Sequence, residues 1–164
     1  MFVRIIVPID GSHQSWSAAR AGAAIAGATD AELELVNVVF TADQRDHALA
    51  ELAGGLGSLG NPAREPKLTA LVAEPGSDDT VGGVLARHVE SVNGAMLVMS
   101  STGRDRSAAV LGSVADDVLR ALFGPIIVVG PHAGDPAVIT GPIVVPVDGS
   151  EFSETSLPLA AAWG

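Results

Sequence analysis

The sequence of 164 residues contains no cysteine, which excludes a disulfide framework, a thiolate metal site and a cysteine nucleophile. Lysine occurs once, as Lys67, and the formal net charge is −10. Because an acidic chain repels phosphate backbones, this charge argues against nucleic acid as the main partner. The acidic residues are spread along the chain, which is typical of a solvated surface. Such a surface still permits one small nucleotide held by backbone N–H groups.

Long apolar runs are also absent. No stretch reaches the roughly 18 consecutive apolar residues that cross a bilayer. The N-terminus, MFVRIIVPID, lacks the basic region, apolar stretch and cleavage site of a signal peptide. We therefore expect a cytoplasmic protein without membrane contact. Apolar residues make up 48% of the chain and charged residues 17%, a balance that predicts a folded domain rather than disorder.

Five short apolar runs rich in β-branched residues alternate with segments of helical period. They lie at 3–9, 33–39, 67–73, 95–100 and 126–130. Nearly continuous apolar strands separated by helices are typical of a parallel sheet covered on both faces. Right-handed crossovers then give an open five-stranded, Rossmann-like α/β fold with three layers. For the last helix, Ser113 with Asp116 predicts an N-terminal capping box, and Val118, Leu119 and Leu122 predict the buried stripe.

The end of the sequence repeats its beginning. A shift of 138 positions places Val145, Pro146, Asp148, Gly149, Ser150 and Ser153 on Val7, Pro8, Asp10, Gly11, Ser12 and Ser15. Self-similarity at a fixed offset indicates a repeated unit of domain size. We therefore predict a domain over 1–131, a linker over 132–142, and the first strand and helix of a truncated second domain over 143–164. Coincidence between two generic strand-turn-helix starts is the alternative.

Two loops follow strands at the edge of the sheet where ligands bind in such folds. The first is PIDGS, in which Asp10 can accept hydrogen bonds from a ribose hydroxyl. The same carboxylate can instead cap the helix that follows. The sequence leaves both roles open.

The second loop is MSSTGRDRSAAVLGSV, residues 99–114. Its glycines let the backbone approach a phosphate, the helix that starts at Gly112-Ser113 favours an anion, and Arg104 can add a charged donor. It matches neither the P-loop nor the GxGxxG fingerprint. A plain loop with a serine helix cap is the alternative.

Residues that would carry catalysis or bind a metal show no recognisable pattern. The four histidines have no metal-ligand spacing, and neither a Ser-His-Asp order nor a carboxylate pair is evident. We therefore predict no metal site and no catalytic residue.

The segments IIVPIDGS, LVMSSTGR, LGSVADDVL and GPIIVVGP, within residues 3–131, resemble the universal stress proteins. Nucleotide-binding members of that family carry Gly-x2-Gly-x9-Gly-(Ser/Thr) between the fourth strand and the last helix. This sequence matches the motif at Gly103 and at Gly112-Ser113. It departs at Ser100, which stands in the first glycine position, and encloses eight residues rather than nine between Gly103 and Gly112.

The resemblance implies ATP, with or without Mg²⁺, as the ligand. The backbone around Pro8 and Asp10, together with Val38, would hold adenine, and Asp10 and the Ser100 region would hold ribose. The phosphate contacts would come from Gly103, Arg104, Gly112, Ser113 and Val114.

Two classes of function follow from the resemblance. One is a stress-response module that binds adenine nucleotide at the carboxyl ends of strands one and four, with at most slow hydrolysis. The other is a nucleotide-free dimerising domain of the same fold. Pairing through the last strand, residues 125–130, would form a homodimer. The altered glycine loop is the sequence feature that separates the two classes, and it leaves both open.

Overall fold

A computed structural model describes residues 2–73, 80–102, 111–133 and 142–163. Strands and helices alternate along the first three of these segments, as the apolar pattern predicts. The strands are Arg4–Pro8 (β1), Glu32–Val39 (β2), Lys67–Val72 (β3), Ala95–Ser100 (β4) and Ile126–Val129 (β5). The α-helices are His13–Thr29 (α1), Arg45–Gly55 (α2), Val81–Glu90 (α3), Ser113–Ala121 (α4), Glu151–Glu154 (α5) and Leu157–Trp163 (α6). Short 3-10 turns at Ala42–Gln44 and Leu56–Leu59 flank α2.

The five strands form one parallel sheet in the order β3-β2-β1-β4-β5. This confirms the predicted Rossmann-like α/β fold. The chain enters at the centre, runs outwards through β2 and β3, and then crosses to β4 on the other side of β1. The strand order therefore reverses between β1 and β4, the place where open α/β sheets bind their ligands.

Helices cover both faces of the sheet because the central strands bury side chains in both directions. Ile5, Ile6 and Val7 of β1 are each fully buried. Ile5 and Val7 pack with α1 and the turn after α2, whereas Ile6 packs with α3 and α4. The sheet thus lies between two helical layers, and its carboxyl edge stays open between them.

Helix α4 starts near the predicted position. Its predicted cap was wrong, whereas its predicted buried stripe is confirmed at Val118 and Leu122 and wrong at Leu119. Gly112 is the N-cap, Ser113 is the first helical residue, and no side chain caps the helix. Asp116 instead pairs with Arg120 on the next turn, at 3.0 Å. Leu119 is 45% exposed, and the residues that face the core are Ala115, Val118 and the half-buried Val114 and Leu122. The buried side of the helix is therefore turned away from Leu119 towards the first helical turn.

The strand predicted over 143–147 is not formed. Residues 142–148 pair with no strand in the described part of the chain, and the side chain of Val144 is 84% exposed. A strand needs a neighbour for its backbone hydrogen bonds, and the five-stranded sheet does not extend to this segment. Beyond it, the predicted helical character is present as α5 and α6.

Candidate functional site

A cavity of about 650 Å³ opens over the carboxyl edge of the sheet. One wall comes from the ends of β1 and β2 and from α2, and the other from the end of β4 and the first turns of α3 and α4. Among the residues predicted as ligand contacts, the cavity lining includes Pro8, Asp10, Val38, Ser100, Gly112, Ser113 and Val114. Gly103 and Arg104 lie outside the described residues. The two loops singled out in the sequence thus meet at one cavity.

The turn after β1 decides one of the two roles left open for Asp10, that of helix cap. Ser12 is the N-cap of α1, because its hydroxyl accepts a hydrogen bond from the backbone N–H of Ser15 at 3.1 Å. Asp10 Oδ1 accepts instead from the backbone N–H of Ser12 at 2.9 Å. Gly11 between them has φ 83°, a conformation that favours glycine. Asp10 therefore does not cap the helix, and the turn fixes its carboxylate at the cavity wall.

The two ends of the loop after β4 are held together at its base. Ser101 donates its backbone N–H to the carbonyl of Val129 at 2.9 Å, which continues the pairing of β4 with β5. The carbonyl of Ser101 then accepts from the N–H of Gly112 at 2.8 Å. These two hydrogen bonds place the start of α4 directly beside the end of β4. The predicted phosphate side and ribose side of the site are therefore adjacent.

Ser100 adopts a backbone conformation that does not require glycine. Among the described non-glycine residues, only Asp30 has a positive φ. Serine at position 100 is thus unstrained, although the nucleotide-binding pattern of the family has glycine there. Its position as the last residue of β4 puts it on the cavity wall.

The N-terminus of α4 supplies unpaired donors to the cavity. The first intrahelical bond runs from the N–H of Asp116 to the carbonyl of Gly112, at 2.9 Å. Among the described residues no side chain caps the helix, so the N–H groups of Ser113, Val114 and Ala115 have no capping acceptor there. All three residues line the cavity. A helix N-terminus of this kind favours an anion through its dipole and its free donors.

Side-chain charge in the described lining is acidic rather than basic. It includes Asp10 and Glu51, and within the described residues it contains neither lysine nor arginine. His47 Nε2 lies 3.6 Å from Glu51 Oε1, one turn further along the same face of α2. The described residues also contain no cluster of three or more histidine or carboxylate side chains suited to a metal ion. Backbone donors are therefore the main favourable feature for an anion in this part of the site.

Several cavity residues escaped the sequence analysis because they lie on β2 and α2, outside the two motif loops. Asn37 comes from the end of β2 and Phe40 directly follows that strand. Gln44 ends the 3-10 turn before α2, His47 lies in the first turn of α2, and Leu85 comes from α3. Helix α2 has a weak apolar pattern, so its sequence does not reveal which face meets the sheet. Asn37 is a polar residue in the otherwise apolar end of a strand, and that signal could have found it.

The turn at Asp148 reproduces the turn at Asp10 in detail. Ser150 donates its N–H to Asp148 Oδ1 at 2.9 Å, and the Ser150 hydroxyl accepts from the N–H of Ser153 at 3.1 Å. Both distances equal those of the first turn, and Gly149 has φ 82°. The sequence repeat is therefore matched by a repeat of local structure.

A doubly wound parallel sheet, with a cavity over its carboxyl edge and an uncapped helix N-terminus on the cavity wall, defines the Rossmann-like class of α/β domains. Within that class the family can be stated. The chain belongs to the universal stress protein family, whose model matches residues 1–130. This confirms the family resemblance noted in the sequence.

Solved structures with the same fold cover most of the chain. A universal stress protein in complex with cAMP is 22% identical, with a TM-score of 0.61, over 79% of this chain and 97% of that chain. A universal stress protein from Archaeoglobus fulgidus is 18% identical, with a TM-score of 0.62, over 78% and 98%. The A. fulgidus protein in complex with dAMP is 18% identical, with a TM-score of 0.59, over 77% and 97%. At these identities the likeness establishes the fold. No curated protein matches the chain.

Proposed function

We propose that this chain is a regulatory module that binds an adenine nucleotide, with ATP as the ligand, at the carboxyl ends of β1 and β4. The observation that carries the proposal is the cavity of about 650 Å³, which brings the Asp10 turn, Ser100 and the N-terminus of α4 together. Universal stress proteins of the same fold are known in complex with cAMP and with dAMP. Those complexes support an adenine nucleotide as the ligand class.

The proposed pose follows the chemistry of the cavity wall. Adenine lies near Pro8 and Val38, and ribose lies near Asp10 and Ser100. The phosphates extend towards the start of α4 at Gly112, where the N–H groups of Ser113 and Val114 have no capping acceptor, with Gly103 and Arg104 assigned to the same anion from the sequence. Because Mg²⁺ binds nucleotides largely through phosphate oxygens and water, we place any Mg²⁺ on the phosphates.

ATP acts in this proposal as a ligand that is at most slowly hydrolysed. We assign no catalytic residue, since the proposal rests on contacts that bind and orient the nucleotide. In the cell the module would take part in a stress response in the cytoplasm, which is a prediction from the family and from the sequence. In the described residues no helix is both long and apolar enough to span a bilayer.

Mass spectrometry of small molecules released from the purified protein tests this function, together with calorimetric titration of ATP-Mg. We expect co-purified adenine nucleotide or binding at micromolar strength. Asp10→Ala and Gly112→Val should each abolish that binding, because one removes the ribose acceptor and the other fills the buried start of α4. Asn93→Ala, in an exposed turn before β4, is the matched control and should bind as the wild type does. Absence of released nucleotide and of binding heat in the wild type contradicts the proposal.

A nucleotide-free dimerising domain is the second candidate function, and one feature of the sheet favours it. Strand β5 is an edge strand, Val128 on it is 36% exposed, and Phe123 just before it is 92% exposed. We propose a homodimer through residues 125–130, because an unpaired apolar edge strand can pair with a second copy. Light scattering after gel filtration should give twice the chain mass, and Val128→Lys should give the monomer mass. A monomeric wild type overturns this candidate.

We further propose that residues 143–164 begin a second copy of the domain in a tandem protein, after a linker over 132–142. The matched turns at Asp10 and Asp148 support this organisation. Separate domains unfold independently, so a chain ending at residue 133 should have the urea midpoint of the 164-residue chain. A lower midpoint for the shorter chain would mean that the tail is part of the first domain.

A further inference from the structure

We propose that Gly82 is a positioning residue for the nucleotide, because it lets α3 and α4 pack with their backbones in contact beside the cavity. The inference rests on the proposed function and adds to it a residue that lies in neither motif loop. Gly82 is buried in the first turn of α3, next to Val81, which lines the cavity. The same turn is fixed by Thr80, whose hydroxyl accepts from the N–H of Gly83 at 3.1 Å.

The contact between the two helices leaves no room for a side chain at position 82. A Cβ atom there would collide with Asp117 Cβ and lie 3.0 Å from the backbone nitrogen of Val118. It would also lie 3.2 Å from the carbonyl carbon of Asp117. These are its three nearest atoms among the described residues, and all belong to α4. Because none of them is the end of a flexible side chain, relief requires the helices to separate.

Helix α4 would carry such a separation to the cavity. It has nine residues, and Val118 follows Ser113 by about 7.5 Å along the helix axis. Val118 is fully buried and belongs to the same core cluster as Leu85 of α3 and Val114 of the first turn of α4. Groups that bind a ligand must be held within about 0.5 Å of their productive positions. The Gly82 contact therefore helps to place the start of α4 relative to the rest of the cavity.

A change at position 82 should affect one part of the nucleotide more than the others. In the proposed pose the base and ribose lie near Pro8, Val38, Asp10 and Ser100, which belong to β1, β2 and β4 or follow them directly. The phosphates lie at the start of α4. Because the atoms closest to position 82 belong to α4, a side chain there should weaken the binding of ATP more than that of adenosine.

Calorimetric titrations with ATP and with adenosine test this assignment through the ratio of the two affinities. We expect Gly82→Ala to lower the ATP-to-adenosine ratio by about tenfold, the size of one hydrogen bond to a charged group. Gly83→Ala is the matched control in the same helical turn, since a Cβ there meets Thr80 Oγ1 at an ordinary 3.5 Å. Gly22→Ala places a clash on the other face of the sheet, against Val7. Both controls should keep the wild-type ratio.

Two replacements of Asp117 test the contact itself. Asp117→Gly and Asp117→Ala both remove the carboxylate, but only Asp117→Gly removes the Cβ that collides with a side chain at position 82. Combined with Gly82→Ala, Asp117→Gly should bring the ratio back to within about threefold of that of Asp117→Gly alone, because the contact with Val118 remains. Asp117→Ala should restore nothing. If Gly82→Ala alone does not fold, a ratio lower in Gly82→Ala/Asp117→Gly than in Asp117→Gly supports the inference, and equal ratios overturn it.

The outcomes separate this inference from the function beneath it. A wild type that binds neither ATP nor adenosine removes the proposed function and, with it, the inference. If the wild type binds but Gly82→Ala weakens both ligands by the same factor, Gly82 has only a structural role and the inference alone is overturned. An equal fall of the ratio in Gly83→Ala, or a recovery with Asp117→Ala, also overturns it, because the contact at Asp117 Cβ would then not be the cause.

Discussion

Glu34 Oε1 lies 3.2 Å from His88 Nε2, so a fully buried carboxylate near the start of β2 is joined to a histidine on α3. The same oxygen accepts from the Thr69 hydroxyl at 2.6 Å and from Lys67 Nζ at 3.0 Å. The other oxygen, Oε2, accepts from Arg4 Nη1 at 3.2 Å. One carboxylate therefore connects β1, β2, β3 and α3. It lies on β2 below the cavity, three residues before Asn37.

Stability should depend on pH through this carboxylate. Burial by itself raises the pKa of Glu34, but hydrogen bonds from His88, Thr69 and Lys67 outweigh burial and lower the pKa to about 2, from 4.5. A folded-state pKa below the unfolded one stabilises the protein above pH 4.5, and this stabilisation is lost as the pH falls towards 2. Urea unfolding between pH 7 and pH 3 should show the free energy of unfolding falling in that window.

Glu34→Gln isolates the contribution of this residue from those of other carboxylates. The variant should lose about 2–3 kcal/mol at pH 7, because charged hydrogen bonds are broken in a buried site. The difference between wild type and variant should shrink as the pH falls below 4.5. A difference that stays constant down to pH 3 would show that Glu34 does not titrate in this range.

Replacing Gly22 in α1 by a larger residue should destabilise the protein, because α1 packs directly on β1 at this position. A methyl group at Gly22 would lie 2.6 Å from Val7 Cγ2, closer than side chains pack. We expect Gly22→Ala to cost about 1–3 kcal/mol of unfolding free energy, the usual cost of overpacking a core. Gly54→Ala in α2 is the matched control, since a methyl group there meets nothing within 4 Å. That change should stabilise the helix by up to about 1 kcal/mol.

A double-mutant cycle with Val7→Ala checks the cause. If the clash with Val7 is responsible, the loss in the double variant should be smaller than the sum of the two single losses. Additive losses would place the strain elsewhere in the α1–β1 contact.

The sequence predicts the sheet well and the cavity wall only in part, for a physical reason. Strand β4 has the predicted bounds, 95–100, because strands buried on both faces form continuous apolar runs. The buried state of Glu34 depends on Lys67 and His88, which follow it by 33 and 54 residues, and no local pattern contains that pairing. For a similar reason the sequence did not reveal that helix α2 lines the cavity. Its weak apolar pattern does not indicate which face of the helix meets the sheet.

The position of the two motif loops in the fold was easier to predict from the sequence than the local backbone geometry of each loop. The sequence analysis correctly took the Asp10 turn and the residues around Gly112 to the same edge of the sheet, because parallel strands end there. It assigned the cap of α4 to Ser113, whereas Gly112 has that position. Because the helix begins one residue earlier than predicted, the N–H groups of Ser113, Val114 and Ala115 have no side-chain cap. The preference of serine for the N-cap position cannot predict a shift of one residue.

Ser100→Gly should not improve nucleotide affinity, although glycine is the residue in the family's nucleotide-binding pattern. Ser100 has no positive φ to relieve. Glycine in a strand costs about 0.5–1 kcal/mol of stability. We therefore expect a small loss of unfolding free energy and an ATP affinity within about threefold of the wild type, which corresponds to less than about 0.7 kcal/mol of binding free energy. Calorimetric titration and urea unfolding measure both, with Ser100→Ala as the control that removes only the hydroxyl. A large gain in affinity would mean that the Ser100 side chain obstructs the sugar.

Arg104 should matter more for the phosphates than for the rest of the nucleotide. The described lining of the cavity contains no lysine or arginine and includes Asp10 and Glu51, so a triphosphate meets few favourable side-chain charges there. Arg104 stands in the sequence between the family's second and third glycines. We expect Arg104→Ala to weaken ATP by about tenfold, the loss of one charge-assisted hydrogen bond, and adenosine very little.

Arg120→Ala is the control for this last change. Its side chain is 76% exposed and pairs with Asp116 on the outer face of α4, so its removal takes the same charge from the chain without touching the cavity. Isothermal titration at two salt concentrations should also show a weaker salt dependence of ATP binding in Arg104→Ala, because one partner of the phosphate has gone. Equal losses for ATP and adenosine would assign Arg104 to the structure of the loop. No loss for either would mean that the N–H groups at the start of α4 bind the phosphates without it.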